Sequence, residues 1–367
     1  MRAVAFFACL LPPFFLTAQI EQQANPLDAT TAIIRAFDDH SIVMFGEVHG
    51  DKQEYEWLCK LVGNSEFANR VDDIVVEFGN SLYQRSVDRY IAGEDVPLEQ
   101  VQKAWRNTIG SVGPPSPVYE WFYKAVRESN MRRRGQHQMR LVLGDPYGDW
   151  DKIKTAEDLG PYLGNREQWY SQVVKDEVLS KHHRALLIMG AGHFRRRPEP
   201  GFIEHEIRAA GADPYLVVFG TNAVGDYDNL DKRFDVWPAP VIAKLAGNWV
   251  GDLPAVPALT GGLGTVTSLK LAEAADAMFY SGPRDTLIEV RMPRSELYGT
   301  PYGKEIARRM VIQTGHSLSF LFDQTDAPQF ERPQPKIILW SPPLSSAMPP
   351  NPPRSIHDPL PPRPPSQ

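Results

Sequence analysis

Apolar residues come in short unbroken blocks: SIVMFG at 41–46, DIVVEFG at 73–79, MRLVLGD at 139–145, RALLIMGAG at 184–192 and YLVVFG at 215–220. A strand with one wet face alternates apolar and polar positions, so unbroken blocks of this length predict strands covered on both faces. Between them, helical patterns run over 52–62, 81–91, 98–105, 118–134, 166–182 and 202–210. Strands alternating with helices predict an α/β fold, with a mainly parallel sheet covered by helices on both faces. A sixth block, ADAMFYSG at 275–282, predicts one more strand after a Pro- and Gly-rich segment at 237–264.

Within that segment PALTGGLGTV, 257–266, lacks the Lys-Ser/Thr ending of a phosphate loop and reads as surface loop. Residues 303–322 read as a late helix and PKIILW, 335–340, as an edge strand; these are the Pro/Gly-rich C-terminal additions to the sheet. From 341 onward proline is dense enough to forbid ladder or helix, which predicts an extended, solvated tail; service as a ligand for a proline-reading module is the other use of such a composition. The expected organisation is a signal peptide at 1–18, one α/β domain at 19–340 and a disordered proline-rich tail at 341–367.

Composition narrows this further. A chain of 367 residues, 42% hydrophobic and 23% charged, can bury a large core, and a formal net charge of -6 gives no electrostatic case for nucleic acid or an anionic membrane. The opening MRAVAFFACLLPPFFLTA has a basic start, an apolar run broken by Pro12 and Pro13, and Thr17-Ala18 before Gln19. That is the layout of a secretory signal peptide cut after Ala18, with an N-terminal membrane anchor as the alternative. No later stretch is long and apolar enough to cross a bilayer, so the expectation is an exported protein, periplasmic or extracellular, with no membrane span once the leader is gone. Cleavage removes Cys9 and leaves Cys59 alone in an apolar helical pattern, where it reads as a small packed hydrophobe.

The chemistry-bearing residues sit at the ends of the blocks. In a parallel α/β sheet the loops leaving the carboxyl ends of the strands open onto one crevice. The first block ends in Glu47 and His49, the second in Glu77, the third in Asp145, and the fourth in His193. Singly, each has an ordinary structural reading, but their coincidence at strand ends points to one shared site. Gly46 and Gly190 each precede a histidine by three residues, in GEVH and GAGH, and are expected to let the backbone turn sharply there and to free space above the sheet. Two imidazoles with a carboxylate suit a divalent transition metal such as Zn, Mn, Fe or Co, or a water held and deprotonated without one. The spacings are far too long for a local HExxH motif, so this site exists only if the strands are parallel neighbours.

Around it, GDPYGDWDK offers Asp145 and Tyr147 as substrate-binding groups, and HFRRRPEPGF offers Arg195 to clamp a carboxylate or oxyanion. His182 and His183 precede the fourth block, at the wrong end of the sheet, and read as surface residues. The first turn is GEVHGD and not GxGxxG, which excludes a dinucleotide-binding oxidoreductase, and the absence of CxxCH excludes covalently attached haem.

GEVH and GAGH, with Glu77 of IVVEFG between them, resemble the signature of the Tiki/TraB superfamily, which includes erythromycin esterase-like and haem-binding ChaN-like proteins. The likeness spans about residues 42–220. It implies that His49 and His193 are the two motif histidines, that Glu77 is the intervening acid, and that Glu47 is the first-motif acid of the esterase-like and ChaN branches. It further implies metal-dependent proteolysis, metal-independent lactone hydrolysis or haem binding, according to branch. The sequence departs from the ChaN branch in having no convincing lipidation cysteine.

The resulting expectation is an exported hydrolase of an ester, lactone or amide in a small-molecule or peptide substrate. Glu47 or His49 would activate water, His193 serve as second ligand or acid, and Glu77 orient them or join His49 and His193 in holding a metal. A haem- or iron-binding protein, with Tyr147 or His49 as axial ligand, is the alternative.

Overall fold

The computed structural model describes residues 23–110, 113–194, 196, 200–220, 232–255, 269–315 and the backbone of 331–333. The leader, Arg195, the 257–266 loop, the 335–340 segment and the proline-rich tail lie outside the described residues.

One eight-stranded sheet carries the fold. Its strands are β1 (Leu27–Asp28), β2 (Ile42–Glu47), β3 (Asp73–Asn80), β4 (Arg140–Asp145), β5 (Ala185–Gly190), β6 (Tyr215–Phe219), β7 (Val241–Lys244) and β8 (Ala277–Tyr280), in the order β1-β7-β8-β6-β2-β5-β3-β4. The six from β8 to β4 are parallel, while β7 is antiparallel to β8 and to the two-residue β1. The fold is α/β with a mostly parallel sheet. All six apolar blocks became strands within a few residues of their expected limits.

The helices are α1 (Ala29–Asp39), α2 (Lys52–Gly63), α3 (Ser65–Arg70), α4 (Gln84–Ile91), α5 (Leu98–Arg106), α6 (Val118–Arg132), α7 (Ala156–Gly164), α8 (Arg166–Glu177), α9 (Ile203–Ala209), α10 (Leu271–Ala274), α11 (Arg294–Leu297) and α12 (Pro301–Thr314). Alternate strand residues feed two cores. Val43, Phe45, Ile74, Val76, Leu186 and Ile188 meet the buried faces of α1 to α6, whereas Ile42, Met44, Val75, Leu187 and Met189 meet those of α8, α9 and α10. Both faces of the sheet are therefore covered, and burying each such aliphatic or aromatic side chain contributes about 1.5–3 kcal/mol.

The strand order determines where a site can form. The chain moves outward from β2 through β3 to β4 with helices on the first face, then turns back to insert β5 between β2 and β3 with helices on the second. Loops leaving β2 and β5 therefore diverge to opposite faces, opening a crevice above their carboxyl ends.

Several limits differ from the sequence expectation. The helix expected over 166–182 ends at Glu177 and passes into a 3₁₀ turn, Leu179–Lys181, closed by His182 at φ 56. The late helix is α12 and stops at Thr314, because Gly315 takes the left-handed conformation (φ 73) that ends helices; residues 316–330 lie outside the described set. The Pro- and Gly-rich segment contains β7, four residues too short to stand out from its surroundings. A second, two-stranded sheet pairs β9 (Ile288–Val290) with β10 (Glu331–Pro333), antiparallel. Among the described residues no helix is long and apolar enough to cross a membrane.

Candidate functional site

Glu47 is the last residue of β2 and continues the face of Val43 and Phe45, toward α2. There its Oε2 accepts from the hydroxyl of buried Tyr55 at 2.8 Å. The chain then turns through His49 and Gly50, whose φ of 81 makes the reversal, and Asp51 caps α2 by accepting from Glu54 N at 2.8 Å. Two residues thus fold back on one another, and Glu47 Oε1 lies 2.5 Å from His49 Nδ1.

Glu77 leaves β3 where its pairing with β4 shifts register between Val76 and Asn80, the kind of irregularity that re-aims a side chain. Its Oε2 accepts from Gly190 N at 2.5 Å and lies 3.4 Å from His193 Nε2; its Oε1 lies 3.7 Å from His49 Nε2. His193 follows β5 in the short 3₁₀ turn Ala191–His193. The structure therefore brings Glu47, His49, Glu77 and His193 to adjacent strand ends, β2-β5-β3, with both imidazole Nε2 atoms facing Glu77.

Of the two roles expected of Gly46 and Gly190, the structure shows the freeing of space and not the turn. Gly190 keeps φ at -52, and a Cβ there would lie 3.3 Å from both Glu77 Oε2 and His49 Cε1. At Gly46 a Cβ would come within 2.9 Å of Ala191 Cβ. Both positions are reserved for close approach between neighbouring strand ends, and only Gly50 supplies the turn.

Two further residues complete the centre. In a parallel crossover the helix runs back along the sheet, so the first turn of α8, reached from β4, lies over the carboxyl ends. Glu167 Oε1 sits 2.6 Å from His193 Nδ1, matching what Glu47 does for His49. Arg166 donates to Glu77 Oε1 at 3.4 Å and its Nε lies 3.6 Å from Asp145 Oδ1. Tyr170, one turn on, packs edge-on to His193 at 5.0 Å between ring centroids. Neither Arg166 nor Glu167 stood out in the sequence; the available signal was a charged pair opening a helix that returns from a strand end.

Asp145 and Tyr147 are placed differently. Asp145 is wholly buried, accepting from Ile109 N at 2.5 Å while facing Arg166, so it braces the arginine from below. Tyr147 packs against Trp169 at 5.0 Å and Tyr162 at 5.9 Å between ring centroids, and no contact with either imidazole is seen among the described residues. Arg195 lies outside the described residues. His183 pairs with Asp73 at 2.6 Å at the opposite end of the sheet.

The electrostatics follow from burial and charge. The Glu47 carboxylate, reinforced by Glu77 against the cost of burial, raises the His49 pKa to about 10. Water reaches 60% of the His49 side chain and screens this attraction, so its direction is what matters: His49 holds its proton through neutrality unless a cation displaces it. Burial works to raise Glu77, but His193, His49 and Arg166 outweigh it and hold the carboxylate at about 2. Burial, aided by the Glu47 charge, pushes Asp51 up to about 7 against its backbone hydrogen bonds, and burial dominates the rise of Asp145 to about 6. Glu54, also buried, is driven well above the usual range by desolvation and by Glu47 and Asp51.

This acid-rich donor set fits a divalent cation. Glu47, His49 and Glu77 offer ligand atoms all within 4.8 Å of one another. Glu47, however, already engages His49 Nδ1 and the Tyr55 hydroxyl. His193 Nε2, 3.4 Å from Glu77, lies beside that set and not within it, while Glu47 and Glu167 hold the two imidazoles by their Nδ1 atoms.

No family model matches the sequence, and no curated protein matches it. Among solved structures the chain is similar to the type III effector HopBA1, at 14% identity and TM-score 0.39, covering 72% of this chain and 99% of that one. It is similar to a protein from Bacillus cereus at 12% identity and TM-score 0.43, covering 71% and 94%. It is also similar to Campylobacter jejuni ChaN, described as binding heme cofacially, at 11% identity and TM-score 0.32, covering 54% and 92%. At such identities and TM-scores these likenesses carry no argument about family or function.

Proposed function

We infer that the protein is a hydrolase of an ester, lactone or amide, acting on water held among His49, Glu77 and His193. The observation that carries this reading is the paired arrangement in which each imidazole has a carboxylate on Nδ1, at 2.5 Å and 2.6 Å, and turns Nε2 toward Glu77. A carboxylate on Nδ1 fixes the orientation of the ring and, once a cation takes the place of the Nε2 proton, the tautomer that leaves Nε2 as the ligand. His49, open to solvent, is the imidazole that a substrate meets first.

His49, Glu77 and His193 would hold a divalent ion, and a zinc, manganese, iron or cobalt ion there supplies an acidified water and a polarised carbonyl. The chain's own groups do the remainder. Glu47 and Glu167 keep the imidazoles oriented, Arg166 steadies the Glu77 carboxylate, and Asp145 holds Arg166 in place.

The test is turnover of a panel of activated esters, lactones and peptides, with elemental analysis of the purified protein. His49→Ala, His193→Ala and Glu77→Gln should each lower kcat by about 10²–10⁴ while retaining native circular dichroism. Chelation followed by return of single metals should remove and restore activity. Wild-type turnover in the His49→Ala/His193→Ala double variant would sink the assignment. A Soret shift on adding haemin, lost in His49→Ala, would replace hydrolysis with haem binding.

A further inference from the structure

On the first face of the molecule, away from the strand ends, α2 and α6 leave a groove of about 500 Å³. Glu56, Cys59 and Lys60 line it from α2; Trp121, Ala125, Glu128 and, at its edge, Arg132 line it from α6. The spacings, three and four residues along α2 and four and three along α6, put each set on one helix face. Trp121 is the groove's large apolar group, 36% exposed. Its indole N–H has no hydrogen-bond partner among the described residues, and Glu56 and Lys60 have no ion-pair partner among them.

An exposed tryptophan with a free N–H beside two carboxylates, Glu56 without a partner among the described residues and Glu128 paired only at 3.9 Å with exposed Arg132, is the chemistry that reads proline-rich segments. Proline rings stack on the indole, the N–H takes a carbonyl that no ladder uses, and an acid takes a neighbouring arginine. The chain carries such a segment. After residue 333 come 34 residues, 334–367, outside the described set, and their densest seven-residue proline stretch is PLPPRPP at 359–365, with Arg363 between two proline pairs.

The path of the chain leads to the groove. β10 pairs with β9 in a register that takes it from opposite Val290 to opposite Ile288. Val290 N donates to Gly50 O, just before α2, whereas Ile288 N donates to the Gln53 side chain, inside α2. The chain therefore leaves Pro333 heading from the start of α2 toward its body. Lys60 lies about 10 Å along the helix from Gln53. Residues 334–358, at about 3.1 Å each when extended, span that several times over.

We propose that the α2–α6 groove is the docking site of the protein's own proline-rich segment 359–365, with the prolines on Trp121 and Arg363 between Glu56 and Glu128. The test is tryptic cleavage of the full chain at Arg354–Ser355, just upstream of the docked segment, followed by mass spectrometry. Docking predicts slow cleavage in the wild type and cleavage faster by about tenfold in Trp121→Ala. Arg363→Glu, which alters only the tail, should give the same release, and adding Glu56→Arg and Glu128→Arg to it should restore protection. Equal rates in the wild type, Trp121→Ala and Arg363→Glu would overturn the proposal. So would protection that rises with protein concentration alongside a dimer in sedimentation, which would make the occupant a second copy's tail.

Discussion

Replacing Gly190 by alanine places one methyl group at the middle of the candidate centre. The backbone there, φ -52 and ψ 135, is open to any residue, so the substitution strains nothing locally and removes unfolded-state entropy, a gain of about 0.4–1 kcal/mol. Against this, the new Cβ would stand 3.3 Å from Glu77 Oε2 and His49 Cε1 and 3.5 Å from His49 Nε2, the first two a few tenths of an ångström inside ordinary contact. Overpacking of this kind costs about 1–3 kcal/mol when neighbours are fixed. Here His49 faces solvent and can swing away, so the net change in stability should be within about 1 kcal/mol of zero. Catalysis has no such escape: His49 can yield only by moving off Glu77, and a displacement of about 1 Å costs around 100-fold in rate. Urea unfolding and kcat/KM on the same preparations separate the two effects. A variant as stable as wild type and equally active would refute the claim that the space above Gly190 is where chemistry occurs.

Gly46→Ala presses on Ala191 at 2.9 Å with backbone on both sides, so urea midpoints should show a loss of about 1–3 kcal/mol even without substrate. Glu167→Gln keeps the shape at His193 Nδ1 but not the charge, and should lower metal affinity or kcat about 10–100-fold; titration calorimetry and kinetics read this, and an unchanged value would mean that Glu167 does not orient the ring. For Asp145, raised by burial from 3.8 to about 6, the folded state binds the proton more tightly, so stability is gained as pH falls through 6 toward 4. Relative to Asp145→Asn, the wild type should therefore gain on the order of 1 kcal/mol between pH 7 and pH 5 in paired urea melts; a constant difference would refute the shift.

The sheet was legible because strands buried on both faces cannot disguise themselves: each apolar block from 41–46 to 275–282 had to become one. β1 and β7 were not, since two and four residues give no period, and their places come from pairing with partners far along the chain. The convergence of Glu47, His49, Glu77 and His193 followed from their positions at strand ends, although the order β2-β5-β3 that makes them neighbours is set by crossovers no local pattern encodes. Glu167 and Arg166 stayed hidden because a charged pair at the start of a helix looks like any solvated first turn until the strand order places it over His193 and Glu77. Gly46 and Gly190 were noticed for two reasons, turning and room, and the second is the one that holds. Their value is the room they leave, and room is a relation between strands.

The two imidazoles hang from opposite leaves of the molecule, one on the loop into α2 and the other between β5 and α9. A guest gripping both would act as a staple through the sandwich, resisting any sliding of one leaf across the other. Occupancy should thus be visible by calorimetry as a higher melting temperature, growing with guest concentration, before any product has been identified.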